Sequence, residues 1–397
     1  MRWRMLAWIC LAELGALSLW FSATAVGPVL RTAWMSTTAQ AWLSMAVTLG
    51  FVVGTVVGAV LTLTDFVGAR RLFVLAAIGG AVVNLALLVV IDSLPLVLTA
   101  RFLTGLAMAG TYPPAMKLAA SWFLTGRGLA VGSLVGALTL GGALPHLLNY
   151  AGGLAWRPVI AGTSLAALGA AIVMATLVRD GPHVQGRAPF NPGCIRDLVR
   201  SRPVVLASFG YFGHMWELYA MWTWIGPYLL QAFTGAGLPA APRLGALATT
   251  IVIGAGAVSC VLAGLAADRI GRTAVTMVAM VTSGACAASI GFAFDRPGWL
   301  VLVALVWGFT IVADSAQFSA AITELAPAAY VGTALSLQTS VGFLITLAST
   351  WLVPRAIEAW GWPWAFAFLA PGPVLGTLAM ARLRRLPESA RLAGGRR

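Results

Sequence analysis

Apolar runs of membrane-spanning length recur along almost the entire chain. Bounded by charge, proline and glycine clusters, they cover residues 5 to 30, 39 to 63, 72 to 91, 94 to 117, 128 to 150, 156 to 178, 204 to 230, 243 to 266, 274 to 294, 299 to 323, 331 to 353 and 362 to 381. Each approaches the roughly 20 residues that an α-helix needs to cross a hydrocarbon layer. The expected fold class is therefore all-α, a polytopic membrane protein with 12 transmembrane helices. The longest polar interval, Arg179 to Arg202, leaves six spans on each side. This divides the chain into an N-terminal six-helix bundle (1-180), a linker (181-202), a C-terminal six-helix bundle (203-385) and a tail (386-397). Only 9% of the residues are charged, against about a quarter in soluble domains, and the spans leave no room for a sizeable soluble domain. A soluble enzyme is excluded.

The net charge of +13 takes its meaning from its placement. With the N-terminus inside, 19 of the 25 Lys and Arg residues fall on the inner side and 5 on the outer, with Arg101 inside a span. That asymmetry predicts a multi-pass inner-membrane protein with both termini cytoplasmic. It also accounts for the basic charge by topology and anionic lipid, without a nucleic-acid partner. The cysteines Cys10, Cys194, Cys260 and Cys286 are scattered without a CxxC pair, so neither a disulfide framework nor a metal site is expected. Lys117 is the only lysine and belongs to no phosphate-binding loop, so ATP does not drive this chain. No cofactor is expected, and no nucleophile or metal constellation suggests an enzyme.

The two halves repeat. Asp65 and Asp268, each following an even-numbered span, lie 203 residues apart, and Glu13 and Glu217 lie 204 apart. Both glutamates are followed by Leu, five further residues and a Trp, Trp20 and Trp224 respectively. Duplicated halves in a membrane protein point to a central site between them.

The loops after spans two and eight carry the residues of a GxxxDRxGRR-like signature. Gly264, Asp268, Arg269, Gly271 and Arg272 match it, and the first copy keeps Asp65, Gly68, Arg70 and Arg71 but has Leu61 and Phe66 in place of the expected Gly and basic residue. Span four carries Arg101 to Gly105 in an RxxxG pattern. On these residues the chain resembles the major facilitator superfamily of secondary transporters. The resemblance implies two pseudo-symmetric six-helix bundles around a cavity lined chiefly by spans one, four, seven and ten and opened alternately by rocking. The signature loops would be gating loops, latching one rocked state through bonds to helix ends of the opposite bundle.

Ionisable residues inside spans are functional candidates because they are costly to insert. Those residues are Glu13, Arg101, His214, Glu217 and Asp314. The spacing 214, 217, 221, 224, 228 stacks His214, Glu217, Met221, Trp224 and Tyr228 on one helix face. That face is expected to line the cavity, with Glu217 loading and releasing a proton and Glu13 facing it across the pseudo-axis. Arg101 either snorkels to the outer interface or pairs with a carboxylate or an anionic substrate group. Trp216 and Tyr219 at mid-depth are candidates to stack on an aromatic or cationic substrate, beside Trp20 and Trp224. Tyr112, Pro113 and Pro114 must break span four, as a hinge or gate. The functional expectation is a monomer that moves a small organic solute by alternating access, coupled to protons as a symporter. Alternatives are a proton-driven efflux antiporter and a non-transporting sensor or scaffold.

Overall fold

The computed structural model describes residues 1–27, 36–123, 127–183, 192–327 and 330–396. Its described residues are helical and contain no strand. The first half comprises α1 (Arg2–Ala25), α2 (Thr37–Val60), α3 (Ala69–Val90), α4 (Leu94–Met108), α5 (Tyr112–Trp122), α6 (Arg127–Ala151) and α7 (Trp156–Thr176). The second comprises α8 (Arg202–Gly235), α9 (Ala241–Ile270), α10 (Arg272–Ser289), α11 (Pro297–Thr310), α12 (Ser315–Leu325), α13 (Val331–Trp360) and α14 (Pro371–Arg384).

Eleven helical segments among the described residues are long and apolar enough to cross a membrane. The twelfth expected span is α8, which at 34 residues is the longest helix. It is long enough to cross, about 51 Å at 1.5 Å per residue. Its midsection is less apolar because Tyr211, His214, Glu217 and Tyr219 interrupt it.

Spans four and ten are each broken into two helices. The first break falls between α4 and α5, where Pro113 and Pro114 occupy the opening turn of α5. That is the position where a missing N–H costs least. The second falls between α11 and α12 without any proline, and Asp314 immediately precedes α12. Thr111 and Asp314 stand 203 residues apart, so the two breaks are symmetry mates. The turns before α3 and α10 also match: Gly68 has φ +89° and Gly271 φ +97°, left-handed values that only glycine adopts without strain.

Within the first half, α1 lies along α6 and α7, and α2 along α4; in the second, α8 lies along α13 and α14, and α9 along α11. The halves meet along two seams, α6 on α9 and α2 on α13. Small residues permit these approaches, as in other membrane helix pairs. A methyl group added to Gly132 on α6 would fall 2.6 Å from the Cys260 carbonyl oxygen, and one on Gly136 2.9 Å from that of Ala257. Large apolar side chains such as Val89 and Phe292 point outward, 85% and 77% exposed, as a surface facing lipid requires.

Candidate functional site

A cleft of about 480 Å³, its mouth included, lies where the halves meet. Aromatic rings from both halves form it. Trp20 on α1 and Phe51 on α2 lie 5.1 Å apart between ring centroids, Tyr219 on α8 and Phe343 on α13 lie 5.0 Å apart, and across the divide Trp20 reaches Tyr219 at 5.3 Å and Phe51 reaches Phe343 at 4.6 Å. Tyr112 and Ser315, the first residues after the two helix breaks, also line the cleft. The symmetric breaks thus both end at this site.

The helical stripe read from α8 exists, but it faces elsewhere. Tyr211, Met215, Leu218 and Trp222 turn toward the cleft. His214, Glu217, Trp224 and Tyr228 turn into the second half and bond there. Glu217 Oε1 accepts from the Trp307 indole at 2.6 Å, and Oε2 accepts from the Ser283 hydroxyl at 2.9 Å. Glu217 is therefore tied to α10 and α11 and does not face Glu13. His214 Nδ1 lies 2.9 Å from Asp314 Oδ1. Trp224 Nε1 donates to the Thr350 carbonyl and the Tyr228 hydroxyl to that of Pro363. Trp216 also leaves the cleft: its indole donates to the Phe368 carbonyl at 3.2 Å. Of the four aromatic candidates, only Trp20 and Tyr219 line the cleft.

Glu13 is the symmetry mate of Glu217, yet its surroundings differ. It is completely buried, and among the described residues neither carboxylate oxygen has a hydrogen-bond partner. The positions 203 residues before Ser283 and Trp307 are Gly80 and Thr104; neither supplies the donor, and the Thr104 hydroxyl is used on the Ala100 carbonyl. At 100° per residue, Glu13 shares a face of α1 with Leu17 and Trp20, both of which line the cleft. It sits one turn from Leu17, about 6 Å along the axis.

Arg101 neither snorkels nor meets a carboxylate. It is fully buried in α4 and donates to the Leu19 carbonyl and the Ser22 hydroxyl of α1 at 3.0 Å each, and also to the Trp20 carbonyl. Ser22 in turn donates to Asn84 Oδ1 at 2.7 Å. The guanidinium ties α4 to α1 and α3 behind the Trp20 ring. It does not line the cleft.

At the signature-loop end the two copies part ways. Arg272 grips Glu324 in a two-pronged bond, Nε to Oε2 at 2.8 Å and Nη2 to Oε1 at 2.6 Å, and reaches Gln317 at 2.8 Å. All three residues belong to the second half, so this arginine locks its own bundle and does not reach across. The crossing group is Asp268, whose Oδ1 would lie 2.7 Å from a methyl group on Gly128, in the first turn of α6. There its charge complements the positive end of the opposite helix. Gly264 packs against the same turn. Arg269 is exposed. In the first copy, the positions 203 residues before Arg272 and Glu324 are Ala69 and Ser121, so the ion pair has no counterpart. Arg70 donates to the Val178 carbonyl at 3.2 Å, Arg71 is exposed, and the Asp65 side chain lies outside the described residues.

The description "Major Facilitator Superfamily" belongs to the family model that matches residues 9–350 of this chain. The chain belongs to that superfamily. Its fold resembles a solved proton:xylose symporter, XylE bound to 6-bromo-6-deoxy-D-glucose, with a TM-score of 0.74 at 16% identity and 96% of each chain covered. A crystal structure of a D-xylose-proton symporter is similar, with a TM-score of 0.73 at 17% identity, covering 96% of this chain and 98% of that one. A curated relative, the MFS-type transporter hasB of Aspergillus fumigatus (strain CBS 144.89 / FGSC A1163 / CEA10), is 29% identical over 208 residues. That match covers 47% of this chain and 44% of the relative, so the chain spans under half the length of the curated protein it matches. As a superfamily member with eleven apolar spanning-length helices among the described residues, the chain is a multi-pass membrane protein.

Several cleft residues escape sequence reasoning. Phe51 and Phe343 carry no signal beyond ordinary span residues, and Leu218 and Trp222 are overshadowed by the polar stripe beside them. Ser283 and Trp307 could have been found by asking which polar groups in neighbouring spans would satisfy Glu217.

Proposed function

We propose that this chain carries a small organic solute across the inner membrane by alternating access, with both termini cytoplasmic, and that solute movement is coupled to protons. Residues 1-180 and 203-385 would rock as two bodies about the seams α6 on α9 and α2 on α13. The four interlocked rings Trp20, Phe51, Tyr219 and Phe343 would part on one side at a time. A monomer contains every group this scheme needs.

The observation that carries the coupling is Glu13. A carboxylate in an apolar setting without a donor is too costly to stand alone. Its charge can be compensated by a proton or by a cationic group of the solute. Glu217, by contrast, already has two donors and serves to hold α8 against α10 and α11. The His214 and Asp314 pair stands at the second helix break.

Solute-induced pH change in proteoliposomes, recorded over a panel of small organic anions, cations and neutral solutes, tests this reading. Wild type is expected to give a solute-dependent pH change, and Glu13→Gln to lose it. A pH change of wild-type size in Glu13→Gln would remove Glu13 from the coupling.

A further inference from the structure

The chemistry of the cleft narrows the solute, on the reading that the cleft is the transport site. Among the described residues no Lys or Arg lines it; Arg101 is spent on the α1 carbonyls behind Trp20. An anion would therefore enter an aromatic pocket with a buried carboxylate at its back and no counter-charge. A sugar needs several donors and acceptors around a ring of hydroxyls, whereas the polar groups here are a few tyrosine hydroxyls, Ser315 and two indoles. Ring faces from four helices suit a cation, which is drawn to the negative face of an aromatic ring, most strongly Trp. Two buried donors, Trp20 Nε1 and Trp222 Nε1, have no protein acceptor.

We infer that the cleft takes a small organic cation: an ammonium-bearing solute whose flat or aliphatic body lies among Trp20, Phe51, Tyr219 and Phe343, and whose charge lies toward Glu13. An acceptor atom on the solute, where present, meets the indole N–H of Trp20 or Trp222. The two occupants of Glu13 then exclude one another. A proton and an ammonium group cannot both neutralise one carboxylate, so the solute enters the cleft as the proton leaves. For such a solute the coupling is exchange, cation against proton, and not the symport expected from sequence. Among the described residues, Cys10 on its own helix and Tyr112 on α5 lie in electrostatic reach of Glu13. Arg101 bonds the α1 carbonyls at Leu19 and Trp20. Those carbonyls stand six and seven residues outward, roughly 9 to 10 Å along the axis.

A matched set of solutes tests this. Proteoliposomes with an acidic lumen are offered benzyltrimethylammonium, which is permanently charged and does not cross lipid unaided, beside benzyl alcohol, phenylacetate and D-xylose. The expected result is saturable uptake of benzyltrimethylammonium with alkalinisation of the lumen, reduced at least tenfold in Glu13→Gln. Trp20→Leu, which keeps the carboxyl group and removes the ring face, is expected to raise the half-saturating concentration at least tenfold, and it serves if Glu13→Gln does not fold. Movement of xylose or phenylacetate without movement of the cation would overturn the cation assignment and leave the transport reading standing. Cation uptake unchanged in both variants would likewise overturn it. Failure of any solute to move, in vesicles shown to be sealed and to hold folded protein, would overturn the transport reading itself.

Discussion

Glu13 and Glu217 occupy equivalent places in a duplicated chain and differ in what their neighbours donate. Trp307 and Ser283 supply Glu217 with two hydrogen bonds; Thr104 and Gly80 supply Glu13 with none. Trp307→Phe keeps the ring edge against Phe366 and removes one donor from a buried carboxyl group, a loss typically worth about 1–3 kcal/mol. We expect thermal unfolding in detergent to show a destabilisation of that order, with a smaller one for Ser283→Ala. An unchanged unfolding midpoint in Trp307→Phe would mean that Glu217 does not depend on the indole. The sequence made the ionisable residues and their helical stacking legible, because a charge in an apolar run stands out and a period of three or four is unambiguous. It did not reveal which stripe of α8 meets the cleft. Polarity suggests water, and here the polar stripe is the packed interior of the second half while the cleft is aromatic. Only the partners in the second half, Ser283, Trp307, Asp314, Thr350 and Pro363, distinguish the two faces.

At the scale of elements, small residues set how closely helices cross. Gly105 on α4 lies against the Val47 carbonyl of α2, and its mate Gly308 on α11 against the Val252 carbonyl of α9. An added methyl group at either site meets backbone that cannot rotate away. Gly105→Ala and Gly308→Ala should each lower stability by about 1–3 kcal/mol, the usual range for overpacking, and by similar amounts in the two halves. Gly132→Ala acts on the seam between halves. It should depress solute exchange in proteoliposomes more than it depresses the unfolding temperature, since the seam must slide during rocking. Equal effects on both readouts would show that the seam is static. The break in span four was legible because two prolines cannot continue a helix. The break in span ten has no such residue. It follows from the duplication, through the 203-residue offset that places Asp314 opposite Thr111, and its existence could have been argued from that symmetry alone.

For the molecule as a whole, the duplication was the most informative feature of the chain, and the departures from it carry the most about mechanism. The ion pair between Arg272 and Glu324 stands in one half only, where Ala69 and Ser121 replace it in the other. One half is thus braced at the signature-loop end, and Asp268 reaches from it to the first turn of the opposing α6 helix. The superfamily signature was plain in the loops because its glycines and charges sit where few other residues can. The asymmetry was half visible, in Leu61 and Phe66, and completed by the loss of Glu324's counterpart, which lies outside the signature. Rocking of the halves about the cleft is the central claim, and distances between spin labels test it most directly. In a variant with the four native cysteines replaced, label pairs at Phe66 with Ile270 and at Asp92 with Asp295 report opposite ends of the molecule, all four positions being exposed. Upon addition of a transported solute or a shift in pH, the account predicts that one distance distribution lengthens while the other shortens. Two distances that stay fixed, or that change in the same sense, would contradict it.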